Sequence, residues 1–355
     1  MDILKIIKST KRGLINIKKV RLTYSIAMIL LCQYAIITDK VSAQNHSNEI
    51  SLTLEEPYSN YKRLMQLSGA ISSKNSFLIR PTQMIIDSTK IHPWVKHIKL
   101  SPTWQKKKYL LSVDLLDTML FTSYNTAIPV GGNDGPLWQG RGMNRSLSLG
   151  VNLQAGLVHF QFKPVITQTA NLDYELFRRN RGKYETPFRG LVQRFGEDPI
   201  SEFSWGDSFV AIRLFGLETS VGNSRMWIGP ATTYPLLFGT NAPGFLHGRF
   251  GTYRPLNIGL GYLEGHYIAG KLEGSEFATI HTRSVNALVA SFTPRWIPGL
   301  SLGVQRLFVD YYPDNLKDLL FHDTLFQVFL KENLANEETG DDGSDPDNQI
   351  LSLYG

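Results

Sequence analysis

The chain has 355 residues and a formal net charge of +6, a length that allows one large all-β body or two ordinary domains. Residues 1–43 hold eight Lys and Arg but only two acidic residues, so the remainder carries 29 of each sign and is neutral. This distribution excludes a basic nucleic-acid-binding surface as the reason for the positive charge.

The first 43 residues predict a secretory signal peptide. A basic start precedes an apolar run over residues 24–38, and small residues at 41–43 provide a cleavage site. The alternative is a transmembrane anchor, but the run is shorter than the roughly 20 apolar residues of a membrane span. Cys32, the only cysteine, lies inside the run, so the mature chain would have no disulfide, thiolate metal site or cysteine nucleophile.

Residues 44–108 predict a small, partly helical periplasmic segment that is separate from the main sheet. The pattern over residues 61–70 fits a short helix that ends at Gly69. Prolines at 81, 93 and 102 then interrupt any longer element.

From residue 109 onward, hydrophobic and polar residues alternate with the period of a β-strand. The clearest case is a hairpin whose strands, 147–154 and 158–163, each have one apolar and one polar face around a turn at Ala155-Gly156. Other predicted strands cover residues 210–214, 217–221, 256–262, 285–292 and 300–304. Because no helix pattern long enough for a βαβ unit appears, the sheet should be antiparallel.

This alternation fits two architectures. A soluble sandwich turns its apolar face inward, whereas a transmembrane barrel turns that face towards lipid. The 30 glycines and the aromatic content of 11% favour the membrane barrel. We therefore predict an antiparallel all-β protein, in which residues 109–355 form either architecture and a transmembrane β-barrel is the favoured one. One strand per roughly 20 residues gives about twelve strands.

The C-terminal part holds an acidic stretch and the start of a further strand. A calcium loop over residues 337–347 is disfavoured, because the acidic residues do not have the EF-hand spacing; a solvated loop is favoured. Residues 350–355 alternate but stop in mid-pattern. A membrane barrel has to close, so we expect the C-terminal strands to be missing from this chain.

No catalytic signature emerges from the sequence. His-Glu-x-x-His, Gly-x-Ser-x-Gly and Walker-type motifs are all absent. Ser208 follows Gly206-Asp207 as in some esterases, but the α/β domain of those enzymes is not predicted here. A pair of glycosidase carboxylates is conceivable among Glu185, Glu197 and Asp198, although the sequence does not fix their separation.

Metal and cofactor sites are not predicted either. His92 and His97 are spaced i, i+5 and flank a proline, which suits neither a helical nor a strand-borne metal site. We predict no catalytic residue, no metal and no cofactor.

Two polar blocks rich in Trp, Asn, Arg and Gly stand out: the first block, residues 133–144, and the second block, residues 227–249. They fit a carbohydrate-contacting surface, in which aromatic faces stack on sugar rings while amides and guanidiniums bind hydroxyls. Inward-folded loops that stabilise a barrel interior are the slightly favoured alternative. The candidate polysaccharide-binding residues are Trp138, Gln139, Arg141, Asn144, Trp227, Asn241 and Arg249.

These blocks also carry a family resemblance. Tyr-Asn-Thr at 124–126 precedes Asn-Asp-Gly-x-Leu-Trp-Gln-Gly-Arg-Gly-x-Asn at 133–144, and Trp-x-Gly-Pro at 227–230 leads to Asn-Ala-Pro-Gly-Phe at 241–245. In these motifs the chain resembles the capsule assembly Wzi family of Gram-negative outer-membrane proteins, especially its Bacteroidetes-like branch. Weaker agreement comes from residues 64–69, 79–81, 194–196 and 348–350.

The resemblance implies an outer-membrane barrel of about eighteen strands, surrounded by outer-membrane lipid. It also implies a non-enzymatic, lectin-like role in attaching or organising capsular polysaccharide or exopolysaccharide at the cell surface. A periplasmic helical piece that obstructs the pore belongs to the family, and residues 61–70 are candidates for it. The alternatives are a porin-like channel and a membrane-associated hydrolase of glycans or lipids.

Overall fold

The computed structural model describes residues 49–51, 76, 78–79, 83–85, 103–106, 111–129, 131, 134–174, 198–231, 235–274, 282–312 and 348–355. The chain divides into two compact units, residues 1–45 with 102–104 and residues 46–101 with 105–355. The signal peptide, the helix at 61–70, His92, His97, Glu185, Glu197 and the acidic stretch at 337–347 lie outside the described residues.

Every element in the described part of the chain is a strand. The sixteen strands are β1 (Glu49–Ser51), β2 (Gln83–Ile85), β3 (Thr103–Lys106), β4 (Leu111–Asn125), β5 (Gly142–Ala155), β6 (Val158–Phe162), β7 (Val165–Thr169), β8 (Ile200–Ser204), β9 (Phe209–Leu214), β10 (Leu217–Gly222), β11 (Leu246–Thr252), β12 (Leu256–Asn257), β13 (Gly261–Leu272), β14 (Arg283–Pro294), β15 (Leu302–Tyr311) and β16 (Asn348–Tyr354). Within the same residues, no helix has the length and hydrophobicity required to cross a membrane.

The predicted antiparallel all-β fold is confirmed. β1 and β2 pair separately, and the other strands form one 14-stranded sheet. Its path runs β16-β15-β14-β13-β11-β10-β9-β6-β5-β4-β3, with β12 beside β13. β6 and β7 follow one another along the same edge of β5. On their other side, β9 pairs with β6 and β8 pairs with β7. The path thus has eleven strand positions, and among the described residues it does not close on itself.

The predicted hairpins form where short turns join the strands. Between β5 and β6, Gly156 has a positive φ of 57°, which a glycine adopts without steric cost. Between β9 and β10, Phe215 and Gly216 both have positive φ, as in a type I′ turn. Such turns match the twist of the strands, so the local sequence fixes these pairings.

One predicted strand is wrong. Residues 256–262 alternate without interruption, yet β12 ends at Asn257 and β13 begins at Gly261. Gly259 has a φ of 84°, and the Ile258 amide donates to the Gly261 carbonyl oxygen at 3.0 Å. Apolar residues continue through this turn and remain exposed, so the period alone did not reveal the break.

Described residues of the N-terminal segment contact the large sheet. β3 is part of the large sheet, and Leu78 and Ile79 are buried against the apolar side chains of other strands. Ile79 forms an antiparallel bridge with Ile228. Burial of these two residues therefore joins the segment to the sheet through contacts that sequence spacing could not indicate.

The two faces of the large sheet have the polarity opposite to that of a soluble sandwich. On β9, Val210 and Ile212 are 48% and 56% exposed, while Ala211 between them is buried. On the buried face of β10, Glu218 and Ser220 are almost inaccessible. On these two strands the apolar face is therefore the exposed one, and polar side chains occupy the buried one.

The buried face has two regions. In the polar region, on β4–β11, polar side chains such as Asn144, Asn152, His159, Glu218 and Arg249 dominate. In the apolar region, on β13–β16, hydrophobic side chains pack against two additional segments of the chain. Its core consists of Leu78, Ile79, Met226, Ile228, Ile268, Val285, Ala287, Val289 and Leu307.

The connections between strands differ at the two ends of the sheet. At one end, the turn end, the chain reverses within residues 156–157, 215–216, 253–260 and 295–301. At the opposite end, the loop end, consecutive described strands are separated in the sequence by longer stretches, at 126–141, 170–199, 223–245, 273–282 and 312–347. Since antiparallel strands alternate in direction, both polar blocks belong to the loop end.

Candidate functional site

Gln139 of the first block is buried and held by β4. Its side-chain Oε1 accepts a hydrogen bond from Ser123 Oγ at 2.6 Å. Asn125 Nδ2 donates to the backbone carbonyl oxygens of Gln139 and Gly140 at 2.9 and 3.2 Å. These contacts hold the block against the end of β4. Gln139, which was predicted to contact sugar, therefore stabilises the loop.

Asn144 lies where the first block becomes β5, and it is fully buried. Its Nδ2 donates to the carbonyl oxygens of Gly140 and Gly142 at 2.9 and 3.1 Å. Its Oδ1 accepts from Thr169 Oγ1 on β7. The side chain thus closes the loop on itself and joins it to the neighbouring strand.

Trp138 and Arg141 are half-buried at the loop end. Trp138 Nε1 donates to Asn171 Oδ1 at 3.4 Å. Arg141 donates through Nε to the Thr126 carbonyl oxygen at 3.2 Å and through Nη1 to that of Asp173 at 2.5 Å. Both side chains keep part of their surface accessible while hydrogen bonds fix their orientation.

The second block packs onto the apolar region. Trp227 is 5% exposed, and its Nε1 donates to the Ala231 carbonyl oxygen at 2.8 Å. The Ile228 amide donates to the Phe238 carbonyl oxygen at 3.3 Å, and the Gly229 amide donates to that of Leu78 at 2.7 Å. The structure therefore folds this part of the block inward, as the alternative interpretation of the sequence expected.

A buried ion pair fixes the start of the second block. Arg225 donates through Nε and Nη2 to the two carboxylate oxygens of Asp207 at 3.1 and 2.7 Å. The Arg225 amide also donates to Asp207 Oδ1 at 2.9 Å. Sequence analysis did not identify Arg225, and it noted Asp207 only beside Ser208. Neither residue lies in a strand, so the alternation gave no signal for this pair.

The structure brings the two blocks into contact. The Gly135 amide donates to the Thr240 carbonyl oxygen at 2.9 Å. Gly135 has a φ of 63°, and a Cβ atom there would lie 2.4 Å from Arg225 Nη1. Only glycine allows this approach, so the contact explains why the first block is glycine-rich at this point.

Asn241 and Arg249, the remaining candidates, lie apart from each other. Asn241 is exposed at the loop end and lines an open cavity beside the second block. Arg249, on β11, pairs with Glu218, which also accepts from Arg213 Nε at 2.7 Å. Arg249 therefore belongs to an ion-paired cluster within the sheet and not to the loop-end part of the second block.

The Ser208 hydroxyl, between β8 and β9, is held by hydrogen bonds to the backbone. Its Oγ donates to the Trp205 carbonyl oxygen at 2.5 Å and accepts from the Lys163 amide at 2.9 Å. The Asp198 carbonyl oxygen accepts a hydrogen bond from Asn171 Nδ2 at 3.0 Å. In the described part of the chain, no three His, Cys, Asp or Glu residues converge as metal ligands would.

Comparison of the chain with protein-family models, curated proteins and solved structures finds no match. The family resemblance of the two blocks therefore stays a prediction, and the argument for function has to come from the residues and their geometry.

Proposed function

We propose that this chain is an outer-membrane β-barrel protein that attaches or organises capsular polysaccharide or exopolysaccharide at the cell surface, without catalysing a reaction. The observation that carries the proposal is the polarity of the sheet. Its exposed face is apolar, whereas its buried face is lined by polar side chains over β4–β11.

The exposed apolar side chains adjoin one another across strands. Val210 lies opposite Val221 in the register of β9 and β10, and Leu214 lies opposite Leu217. On β16, Leu351 and Leu353 are 54% and 74% exposed. A continuous apolar surface of this kind is unfavourable in water but is what the lipid-facing side of a membrane barrel requires.

The difference between the two ends supports an orientation. Outer-membrane barrels have short periplasmic turns and longer extracellular loops. The turn end would then face the periplasm and the loop end the exterior. Both polar blocks would lie at the outer surface, where a polysaccharide is held.

Among the predicted sugar-contacting residues, we assign contact to Trp138, Arg141 and Asn241, which retain accessible surface at the loop end. They offer an aromatic face, a guanidinium and an amide. Gln139, Asn144 and Trp227 are buried in hydrogen bonds within the blocks, so we assign them the role of positioning the loops.

A porin-like channel is the second candidate, since the polar region would suit a hydrated pore. Against it, the apolar region is filled by Leu78, Met226 and Ile228, which pack on the strands. We expect no steady open-pore current when the purified protein is placed in planar bilayers. A stable conductance would favour the channel instead.

Membrane insertion is tested by placing a charge on the exposed face. Val210→Arg should cost about 2–4 kcal/mol of folding free energy in lipid vesicles, because Val210 is exposed and lies further from the turn end of β9, nearer the bilayer centre. Ile297→Arg, in the turn between β14 and β15, should cost only about 0–1 kcal/mol, because it lies near the interface. Equal effects, or recovery of the processed protein in the soluble periplasm, would overturn the membrane assignment.

The polysaccharide role is tested in cells. Deleting the gene should reduce surface polysaccharide, measured by capsule staining, and the wild-type gene should restore it. A Trp138→Ala/Asn241→Ala variant should restore less, whereas Leu236→Ala, at another exposed loop-end position, should restore fully. Unchanged polysaccharide after deletion would refute the proposal.

A further inference from the structure

An open cavity of about 1010 Å³ lies between the second block and the apolar region. Small-molecule sites commonly measure roughly 300–1,000 Å³, so this volume accommodates a substantial ligand. Neither the ion-paired cluster of Glu218 nor the hydrogen bonds of the first block require the cavity.

The walls of the cavity are chiefly apolar. Strands β13–β16 contribute Leu272, Val285, Leu307, Val309 and Ile350. The facing loop contributes Met226, Leu237, Phe238 and Phe245. A sugar would bury its hydroxyl groups against such walls without hydrogen-bond partners, which is unfavourable. An aliphatic chain would meet no such cost.

Polar groups cluster at the margin of the cavity. Asn241 and Glu273 both line it and are exposed to solvent, with the Glu273 side chain 75% exposed. A ligand that buries an apolar tail among the walls could place a polar head beside these two side chains. The arrangement thus selects an amphipathic molecule.

The cavity also reaches the exposed apolar face of the sheet. Leu246, at the start of β11, lines the cavity and is 51% exposed. It lies opposite Lys271 in the register, on the same face as the exposed Phe250 of its own strand. Leu246 is therefore shared by the exposed face and the margin of the cavity.

We propose that this cavity binds the acyl chain of an amphipathic lipid, with the polar head of the lipid beside Asn241 and the Lys271–Glu273 ion pair. The chain is supplied either by a free fatty acid or by a membrane lipid. Asn241 is shared with the proposed sugar-contacting residues, but the inference rests on the apolar walls of the cavity and therefore does not depend on the polysaccharide role.

The test uses the full-length mature protein, transferred from detergent into an amphipathic polymer. A photoactivatable 16-carbon fatty acid should label it saturably, with cross-links in residues 235–246 or on the facing strands. Val285→Trp on β14 and Leu237→Trp on the loop, which fill the cavity from opposite walls, should each reduce specific labelling at least tenfold. Val210→Trp, on the exposed face of β9, should label like the wild type.

Competition identifies the source and the chemistry of the ligand. Unlabelled fatty acids should compete better as the chain lengthens, by at most about fourfold per added CH₂ group. If only unlabelled fatty acid competes, the ligand is a free fatty acid. If a diacyl phospholipid competes as well, the ligand is a membrane lipid. Competition by neither would overturn the proposal.

Two further results would also overturn it. One is wild-type labelling in both cavity-filling variants when their circular dichroism and heat-dependent gel mobility show them folded. The other is labelling confined to exposed-face positions such as Ile212 and Leu353. Because Leu237 lies on the loop, Leu237→Trp keeps the test decisive even if Val285→Trp fails to fold.

Discussion

The polar and apolar regions lie on the same face of one sheet but are stabilised in different ways. In the polar region, side chains bind one another: Glu218 pairs with Arg213 and Arg249, and Asn152 Nδ2 donates to Asp114. In the apolar region, separate segments of the chain cover the strands, so that Leu78 packs among side chains of β13–β15.

The difference follows from what can fill the space next to the polar region and next to the apolar region. A polar wall is stable if each group finds a hydrogen-bond partner or water. An apolar wall gains nothing from water and is stabilised when other parts of the chain bury it. The Arg225–Asp207 ion pair links the polar region to the apolar region. Asp207 lies next to β9, and Arg225 directly precedes the apolar residues of the second block.

Breaking this connection between the regions should have the largest effect. Arg225→Met leaves the Asp207 carboxylate buried without its guanidinium partner and should cost about 3–5 kcal/mol of unfolding free energy. The measurement is urea unfolding in lipid vesicles, followed by tryptophan fluorescence. The double variant with Asp207→Asn should recover part of the loss; a single-variant cost below about 1 kcal/mol would contradict a structural ion pair.

Within the apolar region, Ile228→Ala should cost about 2–5 kcal/mol, because it opens a cavity in a packed core. Ile212→Ala is the matched control on the exposed face, where the neighbouring lipid can fill the space, and it should cost clearly less. The same unfolding measurement compares the two. If they cost the same, the apolar region is not a packed core.

The contact between the two blocks is tested by Gly135→Ala, compared with Gly156→Ala. Both positions have positive φ, which costs an alanine about 1–2 kcal/mol. At Gly135 the new Cβ also meets the Arg225 guanidinium, whereas at Gly156 no atom lies within 4 Å. We expect a total of roughly 2–4 kcal/mol at Gly135, since crowding adds to strain. Equal losses would argue against the contact.

The smallest effect should come from the polar region. Glu218→Gln removes the charge between two arginines but keeps a hydrogen-bonding side chain of similar shape, and Arg213 and Arg249 remain 14% and 12% exposed to water. We expect a cost of about 1–2 kcal/mol. Ser220→Ala, next on the same face of β10, should stay within about 0.5 kcal/mol. A larger loss for Ser220→Ala would mean that hydroxyls, not ion pairs, stabilise this region.

The sequence by itself predicted the antiparallel all-β class and the hairpins β5–β6 and β9–β10, but β4, β7, β8 and β11 were not among the predicted strands. The alternation over 147–163 and the glycine turn at 156 are local properties, and they define β5 and β6 almost as observed. It also identified the two blocks at the loop end. It placed 256–262 in one strand because Gly259 interrupts the backbone without interrupting the pattern.

Only the tertiary structure decided which face is buried, because a period of two residues is the same whether the apolar side meets a core or faces outward. It also brought Gly135 to Arg225, and Leu78 and Ile79 to the apolar region. These contacts join residues far apart in the chain, and no local pattern encodes such a distance. The candidate residues of the blocks were thus found by their chemistry, but their division into accessible and positioning side chains depends on the fold.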